Sequence, residues 1–159
     1  MIKDLVLIPE DRMEKVKTAK AEIEETLEVK MEFVDNSVEI EGEGIKLMQA
    51  KNVVKAIGRG FAPEKAFRLF DDEQVLEIIE IGKNDRIKAR IIGSGGKTRY
   101  EIEKSTDASV SVYGKTVSII GTWEQTKNAK EAIEMLISGS EHKSVYRFLE
   151  KLRKEKLLL

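Results

Sequence analysis

The 159-residue sequence contains no cysteine, one histidine and two prolines. Without cysteine the chain can form neither disulfides nor thiolate metal sites. A single histidine, His142, is too few for histidine-based metal clusters and makes a catalytic triad improbable. The sequence has no apolar run long enough to span a bilayer, and its first residues do not form a signal peptide, so we expect a soluble protein of the cytoplasm.

The net charge is also small, at −1, but charge is unevenly distributed along the chain. Residues 1–80 contain 12 Lys and Arg against 19 Asp and Glu, a net charge of −7. Residues 81–159 contain the other 16 basic and 10 acidic residues, a net charge of +6. We expect the basic half to attract phosphates and the acidic half to face protein.

The sequence repeats itself at an offset of 79 residues, without a gap over residues 22–57. Identical or similar residues recur at that spacing: Glu22, Ile23 and Glu24 with Glu101, Ile102 and Glu103; Val38, Ile40 and Gly42 with Val117, Ile119 and Gly121; Ala50 and Lys51 with Ala129 and Lys130. The repeat predicts two copies of one folding unit, each with its own core.

Hydrophobic periodicity predicts the same order of elements in each copy, strand-helix-helix-strand-strand-helix. In the first copy the strands cover residues 5–8, 29–33 and 38–40, and a long helix buries Leu47, Ala50, Val54 and Ile57. In the second copy the strands lie near residues 75–81, 109–112 and 117–120, with helices after Asn84, over 98–106 and over 124–137. The predicted fold class is α+β, with two three-stranded antiparallel sheets packed on helices.

A glycine turn, Gly93-Ser94-Gly95-Gly96, separates the two early helices of the second copy. Glycines allow a phosphate to approach the backbone closely and permit positive φ. The helix that follows offers unpaired N–H groups and the positive end of its dipole, and Lys97 and Arg99 add full charges. A structural turn without a ligand would have the same glycine pattern.

A nucleotide-hydrolysis motif is a weak alternative. Gly96-Lys97-Thr98 imitates the end of a Walker A loop, but that motif needs another glycine five residues before Gly96, where Ile91 stands. The first copy lacks the turn, because residues 13–21 contain no glycine. Asp11-Arg12-Met13 matches Asp85-Arg86-Ile87 at an offset of 74, which predicts that the first copy is five residues shorter at the position of the turn.

Residues 92–98, with Ile102 and residues 106–110, resemble the signature of a KH domain of the eukaryotic type (type I). Asp107 stands where that signature usually has glycine, and Asp tolerates a left-handed backbone. Residues 56–66, 111–117 and 142–149 resemble the archaeal KH ribosome-assembly proteins, which are related to the eukaryotic factor Partner of Nob, also called Dim. The resemblance implies a degenerate KH domain with a linking helix over residues 1–72 and a complete KH domain over 73–159.

The resemblance also implies a function. Such proteins bind the 3′ region of small-subunit ribosomal RNA through the second domain, and contact a Nob-type endonuclease or the alpha subunit of initiation factor two. We therefore expect a single-stranded RNA-binding protein in ribosome maturation, with no catalytic activity, cofactor, metal, membrane association or small-molecule substrate. A protein-interaction adaptor with vestigial RNA binding is the alternative, and a nucleotide-dependent enzyme is a third, weaker one.

The expected RNA-binding residues have four roles. The backbone clamp and its charges are Gly93, Ser94, Gly95, Gly96, Lys97 and Arg99. Lys88 and Arg90 flank the same groove, and Ile92 and Val112 form its apolar floor or pack in the core. Arg59, next to a possible helix C-cap at Gly58, reaches either RNA or the domain interface. His142 is expected to begin the last helix, a basic segment docked through Val145, Phe148 and Leu152; residues 157–159 have no predicted role.

Overall fold

The computed structural model describes residues 1–158, so the last residue of the apolar tail lies outside it. The chain divides into two compact units, one formed by Met1–Leu76 and one that begins at Glu77. The division falls within a strand, Gln74–Glu80, which pairs in the sheet of the second unit. Each unit contains a three-stranded antiparallel sheet packed on helices, which confirms the predicted fold class.

In the first unit the sheet has the strand order β1-β3-β2. Its elements are β1 (Ile2–Leu7), a 3-10 turn (Glu10–Arg12), α1 (Met13–Leu27), β2 (Lys30–Val34), β3 (Ser37–Gly42), α2 (Gly44–Gly58), α3 (Pro63–Ala66) and a second 3-10 turn (Phe67–Phe70). Helix α2 buries Leu47, Ala50, Val54 and Ile57, as the periodicity predicted. Pro63 occupies the first turn of α3, where its fixed φ suits a helix start.

In the second unit the sheet has the order β4-β6-β5. Its elements are β4 (Gln74–Glu80), α4 (Asp85–Ile92), a 3-10 turn (Ser94–Gly96), α5 (Lys97–Thr106), β5 (Ser109–Tyr113), β6 (Thr116–Thr122), α6 (Trp123–Ile137) and α7 (His142–Leu157). The side chain of Asn84 caps α4 by accepting a hydrogen bond from the amide of Ile87 at 3.0 Å. His142 begins the last helix, as expected.

Equivalent contacts recur in the two units at the repeat spacing. In the first unit a carboxylate oxygen of Glu24 accepts a hydrogen bond from the amide of Met31 at 2.9 Å. In the second unit Glu103 accepts one from the amide of Val110, also at 2.9 Å. Each glutamate therefore ties the helix before a strand to that strand.

An ion pair is repeated in the same way. Lys51 on α2 lies 3.1 Å from Asp4 on β1, and Lys130 on α6 lies 3.0 Å from Glu77 on β4. The hydrogen bond to Glu77 raises the pKa of Lys130. Both pairs join the last helix of the repeat to its first strand, so the internal repeat extends to interactions between elements.

The two units differ where the sequence repeat breaks, and here one expectation is wrong. Arg12 donates from Nε to the carbonyl of Ile57 and from Nη2 to that of Phe61, both at 2.8 Å. In the second unit the matching contacts come from Arg90, which donates to Leu136 and Ser140. Arg12 is therefore the counterpart of Arg90. The predicted match of Arg12 with Arg86 is wrong.

With Arg12 matched to Arg90, the segment of the first unit that corresponds to the glycine turn lies within α1. In the first unit a single 3-10 turn runs directly into the 15-residue helix α1, instead of the two helices predicted. The segment that corresponds to residues 93–96 is continuous helix, and most of the first helix of the pair is absent. The first unit therefore lacks the glycine turn because the equivalent segment is helical, and not because that segment is absent.

Candidate nucleic-acid interface

The glycine turn, residues 93–96, joins the end of α4 to the start of α5. The amide of Gly93 closes α4 on the carbonyl of Ala89 at 2.8 Å, and the amide of Gly96 bonds the carbonyl of Gly93 at 3.1 Å. All three glycines have positive φ, at 75° for Gly93, 59° for Gly95 and 79° for Gly96. The backbone of the turn therefore depends on residues without a Cβ.

The three glycines face different surroundings. A Cβ added to Gly93 would lie 2.3 Å from the Oγ1 of Thr98, so this glycine is needed for packing as well as for its backbone angles. A Cβ added to Gly95 or Gly96 would meet nothing within 4 Å. The open side of the turn can therefore be approached by a ligand, and it lies beside the N–H groups of the first turn of α5.

Two of the expected cations lie on α5, directly after the turn. Lys97 is exposed and is the first residue of the helix; its Nζ lies 5.6 Å from the centre of the Tyr146 ring. Arg99 is also exposed, and its Nη1 donates to the carbonyl of Val110 at 3.1 Å. That bond holds Arg99 on the side of α5 that faces β5, so the structure places these two cations on different sides of the helix.

Lys88, Ile92 and Val112 belong to the region between α4 and β5. Lys88 and Ile92 are four residues apart, so they share one flank of α4. Val112 is half-buried on β5 and packs against the core of the unit. Helix α4 packs against β5, which brings these elements together beside the turn.

Arg90 and Arg59 have other surroundings than the sequence suggested. Arg90 donates from Nε to the carbonyl of Leu136 at 3.1 Å and from Nη2 to that of Ser140. Its guanidinium therefore stabilises the end of α6. Arg59 belongs to the first unit, where its amide closes α2 and its Nε lies 3.4 Å from the carbonyl of Gly58. A role in RNA binding stays a prediction for both residues.

Thr98 does not have the surroundings of a Walker A threonine. It is 1% exposed, and its hydroxyl lies 3.0 Å from the Tyr146 hydroxyl, so it supports the base of the turn. The part of the chain that the structure describes contains no cluster of His, Cys, Asp or Glu suited to a metal ion. Over the same residues, no helix has the length and apolar character of a transmembrane span.

Sequence reasoning did not identify Tyr146 as a neighbour of the turn. Tyr146 lies 48 residues after Thr98 and contacts both Thr98 and Lys97. The amphipathic pattern of the last helix indicated that it docks, but not which element it docks on. Asp107 matches expectation, since it ends α5 with φ of 65° in the left-handed region.

Comparison with known proteins places this geometry in a family. The family model for the second KH domain of PNO1 matches residues 74–154. This model describes a eukaryotic-type KH domain (KH-domain type I). A KH domain-containing protein of Methanocaldococcus jannaschii is 41% identical over 96% of this chain and 74% of its own length.

Eukaryotic relatives are more distant and longer. The RNA-binding protein PNO1 of Oryzias latipes is 33% identical, over 63% of this chain and 45% of its own length. The pre-rRNA-processing protein PNO1 of Chaetomium thermophilum is 28% identical, over 76% of this chain and 52% of its own length. The chain thus spans about half the length of these eukaryotic relatives.

Solved structures from Pyrococcus horikoshii share the fold over nearly the whole chain. Its Dim2p superposes with a TM-score of 0.89 at 44% identity, over 95% of this chain and 99% of Dim2p. The aDim2p structure solved in complex with a/eIF2alpha and rRNA has a TM-score of 0.90 at 42% identity, over 97% of this chain and 95% of the other.

Proposed function

The chain belongs to the PNO1 and Dim2 family of KH-domain proteins, and from this premise we propose that it binds single-stranded RNA through the glycine turn of its second unit. The observation that carries the proposal is the turn itself. It combines three glycines of positive φ, an open side at Gly95 and Gly96, and a helix that starts at Lys97.

Binding follows from the electrostatics of the turn. A Cβ added to Gly95 or Gly96 would meet nothing within 4 Å, which leaves a phosphodiester room to approach the N–H groups at the start of α5. The helix dipole and the exposed Lys97 favour the same negative charge. Bases of about four nucleotides then lie along the groove that Ile92 and Val112 line, the usual span of a KH domain.

The RNA we propose is the 3′ region of small-subunit ribosomal RNA, bound during maturation of the subunit in the cytoplasm. Two findings support this choice. The relative from Chaetomium thermophilum is a pre-rRNA-processing protein, and the Pyrococcus horikoshii neighbour was solved with rRNA.

The first unit has the features of a protein-binding surface, which favours an adaptor role beside RNA binding. On the outer face of its sheet Leu5 is 59% exposed, Leu7 79% and Val34 48%. Glutamates on β2 and β3 lie among these leucines and repel RNA. We propose the alpha subunit of initiation factor two as a partner, since it accompanies aDim2p in the Pyrococcus complex; a Nob-type endonuclease is a further candidate from the family resemblance alone.

A paired substitution tests the RNA-binding site. Gly95→Asp with Gly96→Asp adds two negative charges where side chains meet no steric obstacle, and Asp tolerates the left-handed backbone. We expect the affinity for the 3′-terminal segment of archaeal small-subunit rRNA to fall at least about tenfold in fluorescence anisotropy, because each added charge repels a phosphate.

The matched control is Gly95→Asn with Gly96→Asn, which has nearly the same shape and no charge. We expect it to retain most of the affinity and to melt at the same temperature as the Asp variant. Equal affinity of the wild type and the Asp variant would refute the turn as the RNA site. Equal wild-type affinity for the rRNA segment and for a shuffled sequence would refute the choice of ribosomal RNA alone.

A further inference from the structure

A hollow of about 430 Å³ adjoins the glycine turn on the flank of α4 that faces away from Lys88 and Ile92. Four segments contribute to it: α4, the turn, the start of α5 and the start of α7. The residues that line it include Arg86, Gly93, Ser94, Lys97, His142 and Tyr146. We call it the α7 hollow. Helix α7 lies outside the six-element order of the repeat, so this surface is additional to the groove between α4 and β5.

The α7 hollow contains positive charge without a lining carboxylate. Arg86 and Lys97 both line it and are both exposed, and no ion pair within residues 1–158 neutralises either one. Arg90 also lines the hollow, with its guanidinium bonded to carbonyls. An unneutralised pair of cations in a concave site attracts an anion.

Two other hollows of the same unit have a different charge pattern. The hollow farther along α5 and α7 shares Lys97 and Tyr146 with the α7 hollow, and Glu101, Glu150 and Arg153 also line it. The hollow at the end of α5 is lined by Asp107, Glu124 and Glu155. Acidic residues line both of these surfaces, whereas none of those that line the α7 hollow is acidic. Of these three hollows, the one suited to an anion is the one that touches the glycine turn.

Hydrogen bonds within the unit fix the walls of the α7 hollow. The Nε2 of His142 lies 3.0 Å from the carbonyl of Arg90; since a carbonyl oxygen only accepts, this nitrogen carries the proton, and the bond ties the start of α7 to α4. The Tyr146 hydroxyl is held at 3.0 Å from that of Thr98. Helices α5 and α7 both begin at the hollow, at Lys97 and His142, so the positive ends of two helix dipoles add to its field.

We propose that the α7 hollow binds a backbone phosphate of the RNA. This phosphate belongs to the nucleotide next to those that lie in the KH groove, between α4 and β5. The RNA strand would continue from the turn, through Ser94, onto the start of α7. This inference rests on the proposed function and adds a subsite to it. The ligand is a phosphodiester of the same single strand, recognised by charge and hydrogen bonds without selection for base.

The test compares Arg86→Gln with Lys127→Gln on two RNA probes. Both substitutions remove one exposed positive charge from the second unit, but Lys127 lies on α6 and does not line the α7 hollow. The probes are oligouridines of four nucleotides, the span of the KH groove, and of about eight. Affinities are measured by fluorescence anisotropy over a series of salt concentrations.

We expect Arg86→Gln to weaken binding of the longer probe about three- to tenfold more than Lys127→Gln does, and to reduce its salt slope by about 0.7, the value for one phosphate contact on single strands. On the four-nucleotide probe the two variants should differ less than about twofold, because that probe does not reach the hollow. Equal effects of both variants on the longer probe would overturn the subsite.

The loop variant Gly95→Asp with Gly96→Asp separates the two proposals. If this variant loses binding while Arg86→Gln behaves as Lys127→Gln does, the subsite is wrong and the proposed function stands. If the wild type binds neither the oligouridines nor the rRNA segment, the proposed function fails and the subsite fails with it. A loss of affinity for the four-nucleotide probe in Arg86→Gln would place Arg86 in the KH groove and overturn the subsite.

Discussion

The glycines of the turn are required for two different physical reasons. Gly93 has φ of 75° and ψ of 172°, a region that is almost exclusive to glycine, and a Cβ there would overlap Thr98. Gly95 and Gly96 have left-handed angles with open space around them. Gly93 is thus required by the fold, while Gly95 and Gly96 leave room for a ligand.

We therefore expect Gly93→Ala to lower the free energy of unfolding by about 3 kcal/mol or more, because both its backbone angles and its contact with Thr98 become unfavourable. Gly95→Ala should cost only about 1 to 2 kcal/mol, the price of a left-handed alanine. Urea denaturation followed by circular dichroism measures both. Similar losses in the two variants would contradict this division of roles.

Arg90 shows how a residue chosen for its charge can have a structural role. Its guanidinium donates to carbonyls at the end of α6, as that of Arg12 does at the end of α2. The sequence could not distinguish this from a phosphate contact, because both roles require a basic residue near the turn. The equivalent contact in both units indicates that it belongs to their shared scaffold.

We expect Arg90→Met to destabilise the protein by about 1.5 to 3 kcal/mol, the usual contribution of hydrogen bonds from a charged group. Arg90→Lys keeps the charge but cannot reach both carbonyls, so it should lose much of the same stability. Thermal melts measure this, and RNA affinity of the folded variants provides the second readout. A stable Arg90→Met protein with weakened RNA binding would show that the charge of Arg90 acts on RNA.

Helix α7 belongs to the core of the second unit. Val145 and Leu149 are buried, with Phe148 and Leu152 packed at the edge of the same cluster. The sequence predicted docking through Val145, Phe148 and Leu152, and the structure adds Leu149 as the most buried after Val145. Docking brings Tyr146 to the base of the glycine turn, so α7 supports the RNA-binding element directly.

Leu149→Ala tests this connection. We expect a loss of about 2 to 5 kcal/mol, typical for a buried leucine that leaves a cavity. Lys151→Ala, an exposed change two residues away on the same helix, should have little effect on stability. If Leu149→Ala unfolds at the same urea concentration as Lys151→Ala, α7 is not packed as described.

Local sequence patterns predicted most elements, because each helix and strand has the period of its type. The buried face of α2 was identified from apolar spacing. The early part of the first unit was predicted less well: the apolar pattern of residues 10–27 is helical throughout, and nothing in it distinguishes one continuous helix from two.

At the scale of the whole molecule, the repeat and the charge division indicate different roles for two similar units. The basic unit retains the glycine turn, whereas in the acidic unit helix α1 covers the equivalent segment. The sequence alone located the turn and its cations. It could not identify the α7 hollow, because His142 and Tyr146 come from a segment about 50 residues away and meet the turn through tertiary packing.

Photocrosslinking of the purified protein to 4-thiouridine-substituted single-stranded RNA tests the central claim most directly. Mass spectrometry of the digested adducts identifies the residues that touch RNA. We expect crosslinks between residues 84 and 99, at β5 near Val112 and at the start of α7. Crosslinks concentrated within Met1–Leu76, or within the second unit at the far end of α5, would contradict it.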